Sequence, residues 1–161
     1  MAFGTYQDAA TALRRYINDI PQLNTLDQEI ENTDDELADY IKDALNDINF
    51  QYEPTTSFKL SDVVVEPGVD QGRISWTVVK LGAILQLLTS KGIISARNAI
   101  TYSDAGGVTV AEMDKYGRYM AYFNQLTAKY ERLVQQIKIR ANIADGYSAV
   151  NSPFGFDYYY G

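Results

Sequence analysis

The 161-residue chain contains no histidine and no cysteine. Histidine is the commonest general base near neutral pH and the commonest metal ligand. Without either residue, zinc fingers, Ser-His-Asp triads and Cys-His dyads are excluded. Catalysis would have to rest on carboxylates, Lys, Ser or Tyr. The carboxylates fall in three groups. Asp34, Asp35 and Glu36 are adjacent, so on a helix they point different ways. They read as negative charge stabilising a helix start, at about 0.3–1 kcal/mol each, rather than as a metal site. Asp39, Asp43 and Asp47 stand four apart and share one helix face, which reads as solvated, with only mild like-charge repulsion. Glu29 and Glu31 show no sign of a pocket. Gly106-Gly107 lacks the Lys and the spacing of a phosphate-binding loop and reads as a turn. No catalytic residue, cofactor or metal site is assigned, and the chain is expected not to be an enzyme.

Length fits one domain, and 46% hydrophobic residues suffice for a core. The composition is not that of a disordered chain. With no cysteine, compartment cannot be read from redox chemistry. The first twenty residues lack a basic start followed by an apolar block, which argues against a secretory signal. The most apolar stretch, Ile74 to Leu88, is shorter than the roughly 20 residues that span a bilayer, so a buried helix is expected and no membrane. The net charge is −7, and no basic run is present. Tight nucleic-acid binding rests on cations that neutralise phosphates, so it is not expected.

The spacing predicts a mainly α fold of about four helices with long connections. Ala9, Leu13, Tyr16, Ile17 and Ile20 form one stripe of a helix from about Tyr6 to Asp19, stopped by Pro21. Thr25 and Gln28 suggest a short helix near Leu26 to Glu31. Thr33 and Glu36 form a capping box for the next helix. Its stripe is Leu37, Tyr40, Ile41, Ala44, Leu45 and Ile48, and it ends near Phe50. Residues 51–72 read as a long connection in which Val63, Val64 and Val65 add a short strand. A third helix, about Arg73 to Ser90, is apolar almost all round and therefore central, with Gly92 as its C-cap. Trp76 reads as core rather than as an interface anchor. Ile100, Tyr102, Val108 and Val110 alternate and suggest a hairpin around Gly106-Gly107.

Thr109 and Glu112 cap a last helix, about Ala111 to Asn142. Its seam of Met113, Tyr116, Met120, Phe123, Thr127, Tyr130, Val134 and Ile137 steps by 3 and 4. Tyr119, Tyr122, Leu126 and Leu133 lie beside and away from that seam and are candidates for a subunit interface. The reading divides the chain into a helical domain, 1–142, and an aromatic C-terminal tail, 143–161. Tyr147, Phe154, Phe156, Tyr158, Tyr159 and Tyr160 crowd this tail among Gly, Ser and Pro. So many aromatics are a liability in water, and they are expected to dock on a partner.

The order of these signals resembles the head–tail connector, or adaptor, proteins of tailed bacteriophages. The resemblance spans about residues 34 to 142. It rests on the acidic helix TDDELADYIKDALNDINF, the stretch LSDVVVEP and the apolar helix WTVVKLGAILQLL. The fourth piece is YSDAGGVTVAEMDKYGRYMAYFNQLTAKYERLVQQI, whose SDAGGVTV turn is similar to phage neck proteins in particular. The resemblance implies a homo-oligomeric ring, twelve copies in such families. The ring joins the portal protein to other neck or tail proteins and lines a channel that DNA crosses without specific binding. It also implies a place in the virion neck, after synthesis in the host cytoplasm, and a C-terminal extension that docks on the portal. An acidic chain suits such a channel, because it offers phosphates few cations. The alternative expectation is a small acidic helical binding or regulatory module that meets a basic protein partner through the Asp39 face.

Overall fold

A computed structural model describes the backbone of residues 3–19, 30–65, 73–101 and 110–149, and side chains except in 93–101, 110–119 and 144–149. Four helices carry the fold: α1 (Tyr6–Ile17), α2 (Asp34–Phe50), α3 (Trp76–Thr101) and α4 (Val110–Ala149). Two short strands, β1 (Val63–Val64) and β2 (Ile74–Ser75), pair in parallel, Val63 opposite Ile74 and Val64 opposite Ser75.

Each of the first two helices starts on a capping box. In α1, Thr5 Oγ1 accepts from the Asp8 N–H while Asp8 accepts from the Thr5 N–H. In α2, Thr33 and Glu36 exchange the same pair of bonds, at 3.2 and 2.7 Å. These satisfy N–H groups that the first helical turn leaves without partners. α1 stops at Asn18 rather than at Pro21. Asn18 takes the left-handed conformation (φ 57°), and its N–H donates to the Arg14 carbonyl. Asparagine tolerates that region better than most residues.

Arg14 and Asp19 then bring the chain back toward α2. The Asp19 carboxylate accepts from the Glu31 and Asn32 N–H groups and from Asn32 Nδ2. Arg14 donates to Asp19, to the Asn32 carbonyl and to Asp34. Burial pushes the Asp19 carboxyl up. The hydrogen bonds from Asn32 and Glu31 and the Arg14 charge outweigh it and hold the group below the ordinary carboxylate value.

The core lies where α1, α2, α3 and α4 converge. Leu13, Leu37, Ile41, Ile48, Val63, Ile74, Val79 and Val134 are fully buried. α3 is the central element, packed on α2, on both strands and on α4. This is the place expected for a helix with almost no polar face. Trp76 is core, as its setting on α3 implies: it is buried, and its ring meets Phe3 edge-on at 4.7 Å. No helix among the described residues is long and apolar enough to cross a membrane.

Several expectations need correction. Ile74, expected in α3, is a strand residue, because a β-branched pair opposite Val63 completes a small sheet. α3 does not end at Gly92 but runs to Thr101. A glycine inside a helix costs only about 1 kcal/mol, and ISARNAI beyond it contains no breaker. The hairpin around Gly106-Gly107 loses both ends: Ile100 belongs to α3 and Val110 opens α4. Its middle, with Thr109 of the expected capping box, lies outside the described residues, as do residues 26–29 of the short helix expected from Leu26 to Glu31, whose last two residues are not helical. The boundary at 142/143 falls inside α4, which continues to Ala149. The tail's first residues, IADGYSA, hold no proline, and one glycine does not stop the helix.

α2, α3 and α4 approach closely at Gly82. A Cβ there would stand 2.9 Å from Ala44 Cβ on α2 and 3.0 Å from Tyr130 Cε2 on α4. Neither neighbour is the end of a flexible side chain, so three helices meet where only hydrogen fits. In an open helix Gly→Ala stabilises by up to about 1 kcal/mol. Here Gly82→Ala is expected to destabilise instead, by about 1–3 kcal/mol, as overpacking does. Urea denaturation reads the sign directly, and a stabilised variant would contradict the close contact.

Candidate assembly surfaces

One residue fixes how α4 sits on the rest of the fold. Lys138 is among the most buried side chains, 2% exposed. Its ammonium donates to the Asn49 carbonyl at 2.8 Å, the Pro54 carbonyl at 2.9 Å and Thr56 Oγ1 at 3.0 Å. Three donors meet three oxygens, which answers the cost of burying a charge. Burial holds the Lys138 amine below the ordinary lysine value, with the Glu53 charge acting in the opposite sense. The acceptors sit at the end of α2 and in the segment that follows. Asn49 shapes that segment by accepting from the Phe58 N–H and Thr56 Oγ1 and donating to the Phe58 carbonyl. The Lys138 contacts therefore pin α4 to α2 across a stretch of chain expected only to be a loop.

The expected seam packs inward over its described part. Tyr130 and Val134 are buried, and Phe123 and Ile137 pack partly against the core. Thr127, the polar member, returns its hydroxyl to the Phe123 carbonyl at 2.8 Å, so it needs no partner across the seam. Tyr130 and Gly82 line an open groove of about 500 Å³ with Asp47, Phe50, Gln86 and Phe123. The Tyr130 hydroxyl is buried without a hydrogen-bond partner among the described residues. Burial, and then the Asp47 charge, push it well above the usual phenol range.

The four proposed interface residues separate. Tyr122 is 67% exposed and points away from the core, as an interface residue would. Leu126 and Leu133 are half-buried and pack on the chain's own core. The side chain of Tyr119 lies outside those described. Tyr147 belongs to α4, with its side chain outside the described set. Phe154, Phe156, Tyr158, Tyr159 and Tyr160 lie outside the described residues altogether. The outer face of α4 carries two apolar residues that the sequence reading did not single out, Ile139 and Ile143, at 59% and 52% exposure. Their signal lay in their sequence positions, 9 and 13 residues beyond Tyr130, on the side of the helix away from the seam. The same face is basic through Lys129, Arg132 and Arg140, all exposed. Nearby Lys80 stands over the Tyr16 ring at 3.7 Å. Burial first and then Lys129 hold Lys80 below the ordinary lysine value.

The acidic groups do local structural work. Asp34 pairs with Arg14, Asp35 accepts from Gln7, Glu36 caps α2, and Glu31 pairs with Lys91. Asp39 pairs with Lys42 at 2.8 Å, and Asp47 accepts from Gln86. Glu29 lies outside the described residues. Among the described residues no group of three His, Cys, Asp or Glu side chains is placed to hold a metal ion.

No family model, curated protein or solved structure matches the chain.

Removing the Lys138 ammonium while keeping its length isolates the clamp. Lys138→Met removes the ammonium from the Pro54 carbonyl and from the Asn49 carbonyl, which keeps only the Thr56 N–H, and is expected to cost about 1–3 kcal/mol in urea unfolding. Lys129→Met, on the outer face, should change stability by less than about 0.5 kcal/mol. Equal effects at the two sites would mean that the buried amine fixes nothing.

Proposed function

We propose that this chain is a structural subunit of a tailed-phage neck. It forms a ring that joins the portal to the tail or to the next neck component around the DNA channel. It works by packing on other subunits and has no catalytic role. The observation that carries the reading is α4. At 40 residues it is about 60 Å long, against about 25 Å for the 17 residues of α2. One face is committed to the core through Tyr130, Val134 and Lys138. The other presents Tyr122, Ile139 and Ile143 to water. The helix leads directly into the aromatic residues 150–161.

An element with a buried inner face and an apolar outer face suits a subunit that completes its packing on assembly. A net charge of −7 suits a wall past which DNA slides. The four-piece resemblance to connector proteins supplies the kind of assembly: a cyclic homo-oligomer bound to a portal. The second reading, an acidic module for a basic protein partner, is favoured by the exposure of Asp39 and Asp43 on α2.

Deleting residues 150–161 tests the docking role, and it leaves α4 whole. The truncated chain should keep its helical circular dichroism and unfolding midpoint and fail to join heads to tails in an assembly assay. A truncated chain that still joins particles removes the docking role. One that unfolds shows instead that the tail belongs to its own core.

A further inference from the structure

The net charge hides a division along the chain. Residues 1–72 carry 15 acidic and 4 basic side chains, while residues 73–161 carry 6 acidic and 10 basic. The fold places part of each excess on a separate helix face. On α2, Asp39, Asp43, Asp47 and Phe50 follow at steps of 4, 4 and 3, which keeps them on one side of the helix. All four are exposed, though Asp39 pairs with Lys42 and Asp47 accepts from Gln86 within the chain, and Phe50, at 77%, is the most exposed large apolar residue described. On α4, Lys129, Arg132, Ile139 and Ile143 follow at steps of 3, 7 and 4 on the side away from Tyr130 and Val134. These too are exposed, and neither cation has an ion-pair partner among the described residues. On α2 the carboxylates precede Phe50; on α4 Lys129 and Arg132 precede Ile139 and Ile143, with Tyr122 before them and Arg140 between the isoleucines on the same face. The two are of similar length, about 16 and 21 Å.

We infer that α4 of one copy lies along α2 of a second copy. The helices run parallel, with Lys129 and Arg132 against Asp39 and Asp43, and Ile139 and Ile143 against Phe50. This names the self-contact of the assembly proposed above and rests on that reading. A single copy cannot make the contact, because α4 turns Tyr130, Val134 and Lys138 toward its own core and Lys129, Arg132, Ile139 and Ile143 away from it. The occupant is a second copy because one chain holds both complementary charges, each beside exposed apolar residues: Asp39 and Asp43 before Phe50, Lys129 and Arg132 before Ile139 and Ile143. Each copy then gives one face and receives on a different one. Such a contact is heterologous and passes from copy to copy, closing as a ring when the rotation allows.

The two halves of the stripe do different things. Exposed ion pairs each contribute little adhesion and are screened by salt. They set which surface meets which and in what direction. Burial of Phe50 against the two isoleucines supplies most of the adhesion. An interface built this way is weak in free solution and salt-sensitive.

Sedimentation velocity over a wide concentration range, at low and high salt, tests the contact on the full chain. The natural chain should associate reversibly, and salt should weaken that association. D39K/D43K and K129E/R132E should each weaken self-association by roughly tenfold or more, since like charges then face each other. Mixing the two variants should restore it, because each reversed face then meets its complement. Circular dichroism of each variant separates lost contact from lost fold, and rescue on mixing requires both to be folded. A natural chain that stays monomeric throughout would overturn the proposal. So would variants that associate as the natural chain does, or a mixture without rescue. The neck reading fails separately: a chain that associates this way yet joins no particles keeps the interface and removes the neck.

Discussion

A lysine ammonium inside a protein is held there only if oxygen surrounds it, and around Lys138 it does. Two backbone carbonyls and a hydroxyl take its three protons. Because the carbonyls belong to Asn49 and Pro54, α4 has one rotation about its axis in which the amine is satisfied. That rotation turns Tyr130 and Val134 into the core and Tyr122, Ile139 and Ile143 out of it. Gly82 acts on the same geometry from the other side, letting α2 and α4 approach α3 closely enough for Lys138 to reach the end of α2. The inner and outer faces of α4 follow from these two contacts.

Much of this was legible in the sequence. α2 was written out in full: its capping box, its buried stripe and its end at Phe50 appear where the spacing put them. The central place of α3 and the inward seam of α4 were legible for the same reason, since periodic burial leaves a periodic record. What failed was of another kind. Ile74 has the same composition in a strand as in a helix, and its partner Val63 is distant in sequence, so only the fold could decide. Gly92 and the residues after Asn142 were read as breaks because glycine and weak periodicity usually mark them. In a long helix supported elsewhere, neither is strong enough to stop propagation. Lys138 was passed over because a lysine on an apolar stripe looks like noise. Its meaning depends on Asn49, Pro54 and Thr56, more than eighty residues away.

The candidate surfaces divide the same way. Tyr122 could be placed outside by its offset from the seam, but Leu126 and Leu133 sit close enough to it to be drawn into the core. The outer face gained Ile139 and Ile143, which matter only once Lys138 fixes the helix rotation. The acidic residues that looked like possible ligand sets are mostly committed to caps and ion pairs. Asp39, Asp43 and Asp47 still face outward on α2 beside Phe50, Asp39 with Lys42 and Asp47 with Gln86 as neighbours. The proposed contact gives the molecule one acidic and one basic adhesive face, as the proposed assembly role requires. Its chemistry lies in which surface meets which.

The claim at the centre of this account is that the chain is a counted part of a particle. Quantitative mass spectrometry on purified tailed particles encoded by the genome that carries this sequence tests it most directly. The account predicts the chain at the portal protein's copy number, or in a small integer ratio to it. Its absence from particles, with abundance in the cells that make them, would contradict the neck assignment and leave an acidic binding module in its place.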